Sequence, residues 1–152
     1  MTGEEPKTVI VYKHNGSGWV KVRSFGIALT GWITLSVKNN QIKCCSTGNN
    51  KIVVYSMIGE LLHTYGTRGR GDAGQLSAPY ICDDDDDGSV LIVDTGNHRF
   101  QVMSEQGEFS VLQLQPPVSG PCSAVLFNNH LYVTSLGRSA LDPHSSIYKY
   151  TC

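Results

Sequence analysis

The stretch TGNNKIVVYSMIGE at Thr47–Glu60 returns 48 residues later as TGNHRFQVMSEQGE at Thr95–Glu108. The two stretches align without a gap and are identical at seven of fourteen positions. The residues before them agree in kind, since QIKCCS at Gln41–Ser46 falls on SVLIVD at Ser89–Asp94. Weaker copies of the pattern lie near both ends of the chain. A repeat of about 45 residues is typical of a β-propeller with four short strands in each blade.

The composition of these stretches predicts strands, because β-branched and aromatic residues dominate them and Gly, Asn and Asp separate them. We label the strands of a blade A to D. The predicted strands are Trp32–Val37, Ile42–Ser46, Lys51–Ser56 and Leu61–Tyr65 in one blade, and Pro79–Asp83, Val90–Asp94, Arg99–Ser104 and Phe109–Leu114 in the next. The predicted fold is all-β, a partial propeller of four-stranded antiparallel blades. Its predicted parts are a flexible N-terminus at 1–6 and a propeller segment at 7–152, with full blades at 31–66 and 78–115 and partial blades at 7–26 and 121–151.

The length of 152 residues is short for a closed ring, since propellers close with about four to eight blades. An open arc leaves apolar blade faces and strand edges uncovered. The chain could be a fragment of a longer protein, copies of it could complete one another, or it could aggregate. Because the pattern begins in mid-blade, the sequence favours a fragment.

Bulk properties narrow the class of protein. The net charge is −1 and hydrophobic residues make up 40% of the chain, which allows a core and argues against strong overall basicity. No apolar run has the length of a membrane span and no signal peptide is recognisable, so we expect a cytoplasmic protein without membrane contact. The five cysteines lack metal-ligand spacing, so we expect reduced thiols, no metal and no cofactor.

The polar stretch Asp94–Phe100 is first of all a predicted turn between strands B and C. Glycine tolerates a positive φ, and asparagine can cap its own backbone or enter the left-handed region. The predicted turn residues are Gly48, Asn49, Asp94, Gly96 and Asn97. Arg99 could pair with Asp94 across the turn, which is a structural alternative to a binding role.

A family resemblance rests on the segment from Gly69 to Phe109. Its glycines, Pro79, Asp87-Gly88, Asp94 and the run Asn97-His98-Arg99 resemble the NHL repeat. The resemblance implies a β-propeller like the C-terminal NHL domains of tripartite-motif proteins, which bind protein or RNA and are often ubiquitin ligases through a RING finger. This chain has no RING finger, so the resemblance carries no ligase chemistry to it.

Strand alternation predicts which loops share a face. The B–C turns and the D-to-A connections lie on one face, and the A–B and C–D turns on the other. The first face gathers basic residues and the second gathers acids, including Asp84 to Asp87. Local potential of this kind can attract an anionic or acidic partner. The predicted binding residues are Lys51, Arg68, Arg70, His98, Arg99 and Arg138.

These observations predict a non-catalytic NHL-repeat module that binds a protein partner through the basic face, within a tripartite-motif ubiquitin ligase if a RING finger is joined to it. An RNA-binding face is the alternative. A propeller lyase or lactonase is the third option, disfavoured because the five histidines occupy unlike blade positions and no nucleophile motif is present. The sequence therefore predicts no enzyme activity, no catalytic residue and no metal. The open edges leave self-association as a further possibility.

Overall fold

The structure is a computed structural model that describes residues 7–136 and 146–151. Its strands follow the β-branched and aromatic runs of the sequence. The strands are β1 Lys7–His14, β2 Trp19–Ile27, β3 Ile33–Lys38, β4 Gln41–Ser46, β5 Lys51–Ser56, β6 Leu61–Tyr65, β7 Thr67–Arg68, β8 Gln75–Leu76, β9 Pro79–Asp84, β10 Val90–Asp94, β11 Arg99–Met103, β12 Phe109–Leu112, β13 Pro121–Phe127, β14 His130–Ser135 and β15 Ser146–Thr151.

Successive strands pair with their chain neighbours in antiparallel meanders. β3–β6 and β9–β12 form two four-stranded sheets, β1–β2 a two-stranded sheet and β13–β15 a three-stranded sheet. The short strands β7 and β8 pair in parallel within the connection between the two full sheets. The prediction of an all-β fold with two full antiparallel blades and partial blades at each end is confirmed. We call these sheets blades 1 to 4 in chain order.

Three apolar clusters lie between successive blades. The first joins Val9 and Ile27 of blade 1 to Ile42 and Val53 of blade 2. The second joins blades 2 and 3, and the third joins blades 3 and 4. Neighbouring residues of one strand serve different clusters, because side chains alternate across a sheet. Cys44 thus packs towards blade 1 and Cys45 towards blade 3. Each blade is therefore held mainly by its neighbours.

Two A–B turns consist of an Asn-Asn pair, in line with the prediction that Gly, Asn and Asp separate the strands. Asn39 and Asn40 have φ values of 49° and 57°, and Asn128 and Asn129 have 49° and 58°. Two successive positive φ values match the right-handed twist of the flanking strands, and asparagine tolerates them better than most residues. The predicted turns at these positions are confirmed. No helix within the described residues has the length and hydropathy of a membrane span.

The B–C turns differ in one respect from the prediction. The left-handed residue is His98, with φ 55°, and in blade 2 it is Asn50, with φ 52°. Gly96 is needed for a different reason, since a Cβ there would overlap the hydroxyl oxygen of Ser77. The prediction that the Gly-Asn pair supplies the positive φ was wrong because the turn closes one residue later, on the 3₁₀ turn Thr95–Asn97.

Candidate functional site

Asp94 is the centre of the predicted polar stretch, and it is fully buried at the end of β10. Its Oδ1 accepts a hydrogen bond from the backbone amide of Ser77 at 2.7 Å. Its Oδ2 accepts from Asn97 Nδ2 at 2.7 Å, from Arg99 Nε at 2.9 Å and from Gln101 Nε2 at 3.0 Å. A buried carboxylate is tolerated only when it is paired and hydrogen-bonded in this way. Asp94 therefore fixes the B–C turn against the connection that precedes blade 3.

Arg99 holds the same connection from its outer side. Nη1 donates to the carbonyl oxygen of Gly71 at 2.7 Å, and Nη2 donates to those of Asp72 and Gln75 at 3.0 and 2.8 Å. Every nitrogen of the guanidinium thus has a partner within the protein. The predicted pairing of Arg99 with Asp94 across the turn, together with these carbonyl contacts, accounts for all of its hydrogen bonds. The structure does not favour the other predicted role of Arg99, which is contact with a ligand.

Blade 2 carries a lighter version of this arrangement, with Ser46 in place of Asp94. Ser46 Oγ donates to the carbonyl oxygen of Thr30 at 2.7 Å, and Asn49 Oδ1 accepts from the amide of Thr30 at 2.7 Å. Gly48 donates its amide to the same Thr30 carbonyl at 3.3 Å. The predicted turn residues Gly48 and Asn49 therefore anchor the connection that enters blade 2. The clamp of blade 2 is thus built from a neutral hydroxyl and an amide, whereas that of blade 3 contains a carboxylate.

The connection at 66–78 brings several predicted binding residues onto one face. The carbonyl oxygen of Gly69 accepts from Asn97 Nδ2 at 2.9 Å, which places the flanking Arg68 and Arg70 beside the B–C turn of blade 3. Both arginines lie at the surface of the connection. At the other end of the connection, Asn50 Oδ1 accepts from the amide of Ala78 at 2.8 Å, next to the half-buried Lys51. Arg138 lies outside the described residues.

His98 is exposed on this face, just before the start of β11. Its Nδ1 accepts a hydrogen bond at 3.0 Å from the amide of Gly120, in the connection that leads to blade 4. A neutral imidazole that accepts at Nδ1 carries its proton on Nε2, which makes Nε2 the donor nitrogen of the ring. His98 also lines a cavity of about 110 Å³ together with Phe100, Leu114 and Pro117. The histidine is thus oriented by a backbone contact between blades.

Two buried oxygens beside His98 have no hydrogen-bond partner within the described part of the chain, Thr95 Oγ1 and Asn97 Oδ1. The equivalent hydroxyl of Thr47 accepts from the amide of Trp32 at 3.0 Å. In blade 3 the strand partner of Asp94 is Pro79, as that of Ser46 is Ile33 in blade 2, and proline has no amide hydrogen to offer. Sequence reasoning missed these oxygens, although the Thr-Pro combination could have been compared with the other repeat.

The opposite face carries the acidic run that follows β9. Asp84 accepts from Ser36 Oγ of blade 2, whereas Asp83 Oδ2 accepts from the amide of Leu126 in blade 4 at 2.9 Å. Asp86 pairs with Lys38 at 2.8 Å, and the hydrogen bond lowers the pKa of Asp86. Successive acids therefore serve different blades, as their alternation along a strand predicts. Within residues 7–136 and 146–151, no three acids, histidines or cysteines group as metal ligands.

Lys43 lies buried on the acidic side, between blades 2 and 3. Its Nζ donates to the carbonyl oxygen of Gly88 in the A–B turn of blade 3. Burial lowers the pKa of Lys43, because removal from water disfavours the ammonium form. The sequence did not predict this contact, because a lysine within an apolar strand indicates a strand but not that the side chain is buried.

The antiparallel sheets follow one another as the blades of a β-propeller do, with basic loops on one face and acidic turns on the other. No family model matches the sequence, and no curated protein matches it. Solved structures do match. A catalytically inactive His-to-Ala variant of virginiamycin B lyase from Staphylococcus aureus, solved with quinupristin, has 19% identity and a TM-score of 0.61. A streptogramin B lyase structure has 17% identity and a TM-score of 0.63, and selenomethionine-substituted virginiamycin B lyase from S. aureus has 13% and 0.55.

These matches cover 93–94% of this chain but only 48% of each solved chain. The chain therefore spans about half the length of the propellers that it resembles. At such identity the likeness shows the fold, which is a β-propeller. The predictions of a non-catalytic interaction module and of no enzyme activity are contradicted by this comparison, because the solved propellers that the chain matches are lyases and thus enzymes.

Proposed function

We propose that this chain forms part of a β-propeller enzyme of the lyase class, with its active face built from the B–C turns and D-to-A connections. The observation that carries the proposal is the likeness to streptogramin B and virginiamycin B lyases over nearly the whole of this chain. A lyase breaks a bond by elimination rather than by adding water, and the negative charge that develops on the substrate must be stabilised in the transition state. In the matched lyase, replacement of one histidine by alanine gives a catalytically inactive protein.

His98 is the histidine of the described residues that best suits a role at this face, as a hydrogen-bond donor to developing charge. His14 ends β1 and accepts the amide of Gly16 in an exposed turn, and His63 stacks on Tyr65 of an outer strand. His130 Nδ1 contacts the carbonyl oxygen of Asn128 in an A–B turn, on the acidic face. Only His98 in this part of the chain lies on the basic face beside a cavity, with its Nδ1 fixed by a backbone amide.

The surrounding charges favour an elimination that passes through an anion. Arg68 and Arg70 flank the residue that contacts the turn carrying His98. Cations placed near developing negative charge lower the barrier, because the transition state is more anionic than the substrate. In this proposal Arg68 and Arg70 stabilise the anion that forms when solvent water takes the proton from the substrate carbon. The Nε2–H of His98 donates a hydrogen bond to the leaving group, which departs with the electron pair of its bond and takes its proton from solvent. The blades themselves are proposed to be NHL-type repeats, on the strength of the Asp94, Asn97 and Arg99 clamp.

Turnover of quinupristin by the chain tests this proposal. Elimination leaves products without added water, whereas hydrolysis adds the mass of one water, so mass spectrometry separates the two. The variant His98→Asn is the matched test, since asparagine already occupies the equivalent left-handed position at Asn50. We expect a loss of rate of about 10²-fold or more, as is typical when a hydrogen-bond donor to developing negative charge is removed. Equal turnover by variant and wild type, or none by the wild type, would contradict the proposal.

A further inference from the structure

The first end of the arc exposes an apolar sheet face. Along β1, Val9 and Val11 pack into the cluster shared with blade 2. Ile10 and Tyr12 alternate with them and are 47% and 52% exposed. Since successive side chains of a strand point to opposite faces, Ile10 and Tyr12 lie on the side of blade 1 that faces away from blade 2. We call this side the leading face.

The other end of the arc has a similar face. Ala124 and Val133 of blade 4 are buried against blade 3. Val125 and Phe127 alternate with Ala124 along β13 and are 50% and 62% exposed. Val125 pairs with Tyr132 across the sheet, and Ile147 on β15 is 76% exposed. We call this side of blade 4 the trailing face.

Both faces expose β-branched and aromatic side chains of the kinds that are covered inside the arc. The three inter-blade clusters consist of β-branched, aromatic and other apolar side chains from alternate strand positions. An exposed surface of this kind is rare in a monomer and marks an interaction site. The length of the matched propellers indicates what covers these faces, because each solved chain is about twice as long as the part that this chain spans.

We propose that a second copy of this chain covers both faces, and that two copies close one propeller ring. The leading face of each copy packs against the trailing face of the other. A two-fold axis through the centre of the ring then makes the two junctions identical and leaves neither face exposed. Two arcs that each span 48% of a solved propeller supply the chain needed for one ring. This inference rests on the fold alone and is independent of the proposed function.

The mass of the purified chain in solution is the first test. The chain has a mass of 16.6 kDa, and we expect light scattering coupled to gel filtration to give twice this value. A single species at the monomer mass would overturn the proposal, since no second copy would then cover the two faces. A ladder of larger species would also overturn it, because it would show association without closure.

Charged substitutions identify the faces. Phe127→Glu on the trailing face and Tyr12→Lys on the leading face should each give a monomer, since each variant places a charge in both junctions of its own dimer. Leu61→Glu is the matched control, because Leu61 is 63% exposed on the outer strand of the complete blade 2. It should remain a dimer. Circular dichroism of each variant shows whether the strands are retained, and a variant that unfolds is replaced by Val125→Glu or Ile10→Lys.

Mixing the two monomeric variants distinguishes a ring from other dimers. In a mixed ring, one junction keeps both native side chains, and the other brings the introduced glutamate of one chain against the introduced lysine of the other. We expect the mixture of the Phe127→Glu and Tyr12→Lys chains to regain the dimer mass. A dimer formed through two trailing faces would tolerate Tyr12→Lys and would not be rescued by mixing. Either of these results would overturn the head-to-tail arrangement.

Discussion

Replacement of Asp94 by alanine should destabilise the protein more than any other single change at the candidate site. The carboxylate is fully buried and accepts four hydrogen bonds, one of them from the guanidinium of Arg99, whose side chain is 16% exposed. Removing one member of a buried ion pair costs about 3–5 kcal/mol. Arg99 keeps three carbonyl partners and some contact with water, which reduces the cost, whereas the amide of Ser77 loses its acceptor. We expect a loss of about 4 kcal/mol in the free energy of unfolding.

Urea unfolding followed by circular dichroism measures this loss, with the slope against denaturant unchanged if the folded state is retained. Ser46→Ala in blade 2 is the matched control, since it removes a neutral group at the equivalent position. Its expected cost is about 1 kcal/mol, the usual value for a neutral hydrogen bond. If Asp94→Ala costs no more than Ser46→Ala, Asp94 does not hold the connection and the description of the site is wrong.

Three further predictions concern other parts of the chain. Gly96→Ala should destabilise by about 1–3 kcal/mol in the same urea assay, because its Cβ would overlap Ser77, and an unchanged midpoint would contradict the close approach. Burial lowers the pKa of Lys43 from its usual 10.5, so between the two values the unfolded state binds more protons, and stability attributable to Lys43 should rise as the pH approaches 10.5. The difference between wild type and Lys43→Met across this range measures the effect, and a difference independent of pH would refute it. Burial raises the pKa of the Cys44 thiol to about 11, so Cys44 should resist alkylation in the folded protein and react in urea, and rapid labelling of the native chain at Cys44, mapped by mass spectrometry, would contradict its position in the core.

The repeat was sufficient to predict the strands of blades 2 and 3, because the alternation of apolar residues and the turn signals both have the period of a blade. Strand direction also predicted that the B–C turn and the preceding connection lie on the same face. The hydrogen bond from the amide of Gly96 to the carbonyl oxygen of Ser77 joins the two. The exact position of the left-handed residue did not follow. It depends on how the 3₁₀ turn Thr95–Asn97 closes, and both Gly96 and His98 were compatible with the sequence.

The functional prediction was wrong, for a physical reason. The segregation of charge between the faces describes a potential, and the same potential suits a partner protein, a nucleic acid or an anionic transition state. The sequence also could not show that Arg99 is occupied by carbonyl oxygens from the connection at 66–78, since those contacts depend on the path of the loop. The orientation of His98 depends on Gly120, 22 residues away, which no local pattern indicates.

Native-state hydrogen exchange at four amides tests the central claim that the blades pack side by side with their loops interlocked. The amides of Ser77 and Gly96 join the connection to the B–C turn, that of Ile81 donates to Thr34 Oγ1 of blade 2 at 2.8 Å, and that of Leu126 donates to Asp83. Protection should approach that of amides in the central strands, because the first two bonds break only when the connection leaves blade 3 and the other two only when neighbouring blades separate. Exchange of all four at the rate of an unstructured chain would contradict the arrangement of blades described above.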